Sequence, residues 1–157
     1  MRSWAAGVLA LVWLLAGAGF PVRAGEALAG PVPALVTAVV DGDTLEVRAR
    51  IWLGQELTTR VRLAGIDAPE ARSDCLRERA LAIRARAFLS ARLDPAGDGA
   101  PAPVRLRDIR NGKFAGRVLA RVESAAGLDL GRALLAAGLA RAYDGGRRAP
   151  WCADSKQ

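Results

Sequence analysis

The chain contains no histidine. Histidine general bases, Ser–His triads and histidine-ligated metals are therefore excluded, and any proton transfer falls to Asp, Glu, Tyr, Lys or Arg. Cysteine is nearly absent, with only Cys75 and Cys152 present. Two thiols cannot complete a four-ligand zinc site without histidine. Internal repeats and low-complexity tracts are missing. Outside the N-terminus no long apolar run occurs, so the remainder of the chain is expected to have no membrane-spanning helix. The 157 residues suffice for one domain around a single core.

The N-terminal stretch stands apart from that domain. Arg2 gives a positive start, Trp4 to Phe20 is uncharged and apolar, and Val22-Arg23-Ala24 places small residues where a signal peptidase reads. This pattern predicts a signal peptide over residues 1–24, cleaved near Ala24, and a secreted or periplasmic protein. The alternative is an uncleaved membrane anchor, against which the run of 17 residues is short. After cleavage 21 cations face 16 acids, a net +5. That balance favours a polyanionic partner. Nineteen of those 21 cations are arginine, the better phosphate ligand. In an oxidising compartment Cys75 and Cys152 are expected to form a disulfide that ties the tail carrying Arg147 and Arg148 beside the loop of Asp67 and Glu70. Two free buried thiols are the alternative.

Residues 25–34, rich in Gly, Ala and Pro, read as a linker, and 153–157 as a tail. Between them Leu35–Val40 reads as a strand. Leu45, Val47, Ala49, Ile51 and Leu53 alternate with Glu46, Arg48, Arg50 and Trp52, which predicts a strand with one buried face. A hairpin turn at Leu53-Gly54-Gln55-Glu56 leads to a third strand through Thr59, Val61 and Leu63. Gly65 to Asp74 reads as a loop. Cys75–Arg92 is predicted helical, with Leu76, Ala80, Ile83 and Ala87 on the buried face and Ser73 or Asp74 as cap. Asp94–Pro103 reads as a loop, and Val104–Leu106 and Val118–Val122 as strands. Asp129 is expected to cap a short helix with Leu130, Leu134 and Ala137 on one face and Gly138 at its end. Five short strands and about two helices suit a small α+β, mainly β, barrel.

The chemistry-bearing residues cluster at strand ends. Val39-Val40-Asp41-Gly42-Asp43-Thr44-Leu45 and Val61-Arg62-Leu63-Ala64-Gly65-Ile66-Asp67-Ala68-Pro69-Glu70 set acids and an arginine where strands stop. Acids converging there suit a hard divalent cation, and a guanidinium fork fits a phosphate. Together these are the parts needed to hydrolyse a phosphodiester. An Asp beside Gly is also a turn former, and an outward strand Arg is ordinarily only solvated.

These two segments resemble the signature of the staphylococcal nuclease (thermonuclease) family. Lys113-Phe114-Ala115-Gly116-Arg117-Val118-Leu119-Ala120-Arg121-Val122 resembles that family's next motif, and Leu134-Leu135-Ala136-Ala137-Gly138-Leu139-Ala140-Arg141-Ala142-Tyr143 its closing helix. The four pieces occur in family order over about residues 35–145. The resemblance implies a five-stranded OB-fold barrel with two to three helices over residues 35–152. It also implies a calcium-dependent nuclease, with another divalent cation as the alternative. Such an enzyme acts on DNA, RNA or both with little sequence preference and leaves 3′-phosphate products. It implies Asp43, Asp67 and the backbone carbonyl of Ala68 as metal ligands, with Asp41 a secondary candidate beside the metal.

In the same comparison Glu70 is the general base, and Arg62 and Arg117 clamp the phosphate. Lys113, Phe114 and Tyr143 are substrate contacts, Tyr143 being either a base-stacking or a packing residue. The chain departs from the family in having Ala at position 68, Phe at 114, the extra residue Ala115, and a Tyr143 one residue nearer Gly138. A monomer without stable membrane association after cleavage is expected. The rival reading is a non-catalytic OB-fold module that binds nucleic acid through its basic face.

Overall fold

A computed structural model of the chain describes residues 27–94, 96–113 and 116–152. The expected signal peptide, the residues 153–157 and the Phe114 contact lie outside the described residues. Within them run β1 (Ala27–Leu28), β2 (Val32–Val39), β3 (Thr44–Trp52), β4 (Gln55–Leu63), β5 (Ile66–Asp67), α1 (Leu76–Leu93), β6 (Ala102–Asn111), β7 (Arg117–Ser124), α2 (Leu130–Ala136) and β8 (Arg141–Ala142).

The strands close into a barrel. The larger sheet runs β1-β6-β2-β3-β4-β7, and β6 also pairs with β7. The ring β2-β3-β4-β7-β6 is therefore complete, with five strands and no open edge. All its pairings are antiparallel except β4 with β7, which is parallel. This is the OB-fold arrangement, an α+β chain that is mainly β with two helices. β5 and β8 form a separate two-stranded ladder, Ile66 opposite Ala142 and Asp67 opposite Arg141.

Alternation builds the core. Leu45 and Val47 of β3, Val61 and Leu63 of β4, Leu106 of β6 and Val122 of β7 are all at most 2% exposed. Each sits two residues from the next inward position on its strand, as a pleated sheet demands. The alternation stops short of the β3–β4 turn. Ile51 and Leu53, expected inside, are 53% and 87% exposed, because this hairpin projects beyond the barrel wall. The turn itself is two residues, Leu53-Gly54, with Gly54 at φ 69°.

Three other expectations are corrected. Residues 25–34 are not simply a linker: Ala27–Leu28 pair with Ile109 and Arg110 of β6, and Val32–Ala34 already belong to β2. The loop 65–74 contains the short strand β5. Helix α1 buries Ala82, Ala85, Leu89 and Leu93, while Leu76 and Ile83 are 74% and 68% exposed. The helix thus turns two alanines and two leucines inward, and Arg86 Nε donates to the Val39 carbonyl at 3.1 Å. Its cap is Cys75, with no side-chain capping bond; the Ser73 hydroxyl instead accepts from the Cys75 N–H at 3.2 Å.

Helix α2 is capped as expected, the Asp129 carboxylate accepting from the Arg132 N–H. Leu130 and Leu134 are buried, but Ala137 is exposed and the inner positions after the helix are Leu139 and Ala140. No helix among the described residues is long and apolar enough to cross a membrane.

Candidate active site

The turn between β2 and β3 carries the first acids. Asp41 Oδ1 accepts from the Asp43 N–H at 3.1 Å, so Asp41 shapes the turn as well as lining the cleft described below. Gly42 is required by space: a Cβ there would stand 2.9 Å from the Ala85 Cβ and 3.2 Å from the Ala68 Cβ. The turn, helix α1 and the Asp67 loop therefore meet at a point that admits no side chain. That contact seats Asp43 beside Asp67, 24 residues away in sequence.

Asp43 is 4% exposed, as is Asp67. Burial of a carboxylate without partners is costly, and both have partners. Thr44 donates its hydroxyl to Asp43 Oδ1 at 2.9 Å, and the Leu63 N–H reaches the Asp43 carbonyl at 2.8 Å. Arg62 takes both acids. Its Nη1 donates to Asp43 Oδ1 at 3.0 Å, and its Nη2 lies 2.7 Å from Asp43 Oδ2 and 3.4 Å from Asp67 Oδ1. The Arg62 side chain is only 11% exposed. Its phase on β4, opposite to Val61 and Leu63, turns it to the barrel exterior, but β5 and the Asp43 turn cover it there. Burial pushes the Asp43 carboxyl up to about 6, Arg62 opposing and Asp41 adding to the rise.

Glu70 lies at the rim, its side chain 60% exposed. It is bound to Arg148, not to Arg72 as a neighbour-based pairing would suggest. Arg148 also reaches Asp67 Oδ1 through Nε at 3.0 Å. Trp151 donates its indole N–H to Asp67 Oδ2 at 3.3 Å. Burial draws the Arg148 guanidinium down, but the charges of Asp67, Glu70 and Asp43 outweigh it and hold it above its ordinary value.

The tail arrives here because Cys75 and Cys152 are joined as a disulfide, Cα atoms 6.6 Å apart. Arg141 adds a second tie, donating to the Pro150 carbonyl at 2.9 Å and standing 3.9 Å over the Trp151 ring. Sequence reasoning placed this tail beside the loop, yet did not single out Arg148 or Trp151 as site residues. An arginine-rich chain offers no local signal that marks one arginine among 21.

A cleft of about 660 Å³ brings the set together. Asp41, Asp43, Arg62, Ala68, Glu70 and Arg117 line it, with Lys113, Tyr143 and Arg148. Arg117 is the first residue of β7, held in register opposite Arg60. Asp67 lies behind Arg62 and Arg148 and opens instead to neighbouring hollows. Tyr143 donates its hydroxyl to the Gly146 carbonyl at 2.8 Å, and its N–H bonds the Gly65 carbonyl. Its ring, half-buried, borders both this cleft and a second hollow floored by Arg62 and Leu63.

Two expected ligand carboxylates, Asp43 and Asp67, are thus brought together through Arg62. Among the described residues no three acids or cysteines converge as a metal-binding group. The donor chemistry is nonetheless all oxygen: two carboxylates, the Ala68 carbonyl and nearby Asp41. A hard divalent cation takes about six to eight oxygens, so water and a substrate phosphate would complete its shell. No protein-family model matches the chain, and no curated protein is detectably similar to it.

Proposed function

We propose that the chain is a metal-dependent nuclease of the staphylococcal nuclease type, hydrolysing phosphodiesters of DNA, RNA or both. One observation carries the reading: Arg62 joins Asp43, which lines the cleft, to the buried Asp67 behind it, and the same cleft holds Glu70, Lys113 and Arg117. A fold alone would not support it. A binding surface for nucleic acid needs cations, whereas buried carboxylates beside them repel phosphate. Their retention makes sense if a cation joins them during turnover.

In this reading Asp43, Asp67 and the Ala68 carbonyl would hold calcium or another divalent cation. When bound, that cation neutralises phosphate charge and makes a nearby water easier to deprotonate. Glu70 takes the proton of the attacking water, and its exposed rim position gives the proton a route to solvent. The new P–O bond forms from that water. The P–O5′ bond breaks, the departing 5′ oxygen takes a proton from solvent to become a hydroxyl, and the phosphate stays on the 3′ side. Arg62 and Arg117, which line the same cleft, donate to the phosphoryl oxygens as charge builds there, Arg62 shifting donors from its aspartates as a cation takes them over. Tyr143 borders the cleft where a base could stack. Export fits the chain's disulfide, which persists in oxidising compartments.

The decisive experiment incubates residues 25–157 with single-stranded DNA, duplex DNA and RNA, in calcium and in chelator. Cleavage with calcium that stops in chelator is expected. Undiminished cleavage after thorough chelation rejects the metal-dependent mechanism. One observation favours the rival, a non-catalytic binding module: Asp43, Asp67 and Glu70 all already carry arginine partners. Tight nucleic-acid binding with no cleavage under calcium, magnesium or manganese would establish that reading instead.

A further inference from the structure

Two cations lining the cleft, Arg72 and Arg148, lie outside the motifs, and only Arg148 of these comes from a distant segment. It sits 78 residues from Glu70 in sequence yet binds Glu70 and Asp67 together. The tail does not need it as an anchor. The Cys75–Cys152 disulfide and the grip of Arg141 on Pro150 and Trp151 already fix the segment just after it. A guanidinium carries five N–H donors in a fixed fork. Asp67 and Glu70 engage Nε and Nη1, which leaves donors for a ligand. Its side chain is 41% exposed and shares the cleft with Arg62, Lys113 and Arg117. Arginine pairs with phosphate in the same bidentate geometry as with carboxylate. A strand lying in the cleft therefore meets five cations, Arg62, Arg72, Lys113 and Arg117 from the barrel and its loops and Arg148 from the disulfide-tethered tail.

We propose that Arg148 is a phosphate-binding residue of this cleft, holding a backbone phosphodiester of the bound nucleic-acid strand. The proposal rests on the nuclease reading above for the identity of the ligand. Arg148 exchanges one partner for another: with the cleft empty it neutralises Asp67 and Glu70, and with a strand bound it turns its fork to a phosphate. Glu70 is thereby released only when substrate is present.

The test uses the full mature chain with its disulfide intact. Binding of a fluorescent single-stranded phosphorothioate oligonucleotide, in calcium, is measured over a range of salt for wild type, Arg148→Ala, Arg148→Lys and Arg147→Ala. Arg147 is exposed, adjacent, and of the same charge, so its variant controls for bulk electrostatics. Arg148→Ala is expected to weaken binding about tenfold, the effect of one hydrogen-bonded charged contact, and to make the logarithmic salt slope shallower by about 0.7. Arg147→Ala should weaken it by less than about threefold, as an exposed charge does. Arg148→Lys, which keeps the charge and loses the fork, falls between.

Equal effects of the two alanine variants would overturn the proposal. The two readings separate cleanly. If wild type cleaves nothing and Arg148→Ala still loses binding, the nuclease reading falls and Arg148 keeps its assignment. If wild type cleaves and the alanine variants bind alike, Arg148 loses it and the nuclease reading stands.

Discussion

Asp67 stands directly opposite Arg141 in the ladder between β5 and β8, and Trp151 links the two again from the tail. The indole N–H reaches the Asp67 carboxylate while its ring lies under the Arg141 guanidinium. A backbone pairing is thus reinforced by side chains from a third segment. Arg141→Ala removes the cation–π contact and the bond to Pro150, and should cost about 1–2 kcal/mol. Trp151→Phe keeps a ring and loses only the N–H, and should cost about half of that. Urea unfolding of the two variants, read by far-UV circular dichroism, checks the order.

Arg62 and Arg117 should part company on mutation. The loss of Arg62 leaves two buried carboxylates without the cation between them, and breaking such a pair typically costs about 3–5 kcal/mol. Arg62→Ala should therefore lower the melting temperature markedly as well as activity. Arg117→Ala and Glu70→Gln, by contrast, should keep their stability and lose turnover by about a hundredfold or more. Thermal melts run beside single-turnover cleavage would show the split; a stable, inactive Arg62→Ala would contradict it.

Asp43 predicts a pH dependence of stability with a definite sign. Its folded pKa of about 6 lies above the value of about 3.9 for an unfolded Asp. The folded state therefore holds the proton more tightly. Its contribution is fully present below about pH 4 and is lost as pH rises through about 6. Two units correspond to at most about 3 kcal/mol. Urea midpoints in chelator should fall across this window in wild type and fall much less in Asp43→Asn. An equal slope in both would assign the effect to another group.

Reduction of the Cys75–Cys152 bond opens a loop of 77 residues. Chain entropy assigns such a closure about 4.5 kcal/mol, an upper figure. Melting under reductant should drop by ten degrees or more for a domain of this size. Alkylation of the unreduced protein followed by mass spectrometry should find no modified thiol.

The barrel strands were legible because their pattern is binary. Val61 and Leu63 go in, Arg60 and Arg62 go out, and nothing local competes. The helix face was not legible. Leu76 and Ile83 outweigh Ala82 and Ala85 on any hydrophobicity scale, yet the inner face carries Ala85, the small neighbour that the close approach of Gly42 requires, together with Leu89 and Leu93. Close packing at Ala85 and the burial of these two leucines set the rotation of α1 together. Asp43, Arg62, Asp67 and Glu70 could be named from two short segments. Arg148 could not, since its place depends on a covalent link that closes far outside any motif.

The β6–β7 hairpin holds its register below the turn: Asn111 faces Val118, and the Gly112 N–H bonds the Arg117 carbonyl. Arg117 is further fixed from the other side by its parallel pairing with Arg60. Both pairings lie outside residues 113–116, so a one-residue change of length there, such as Ala115 relative to the resembled motif, leaves the frame that holds Arg117 intact. The position of this arginine is set by its two neighbouring strands and not by the connection that precedes it.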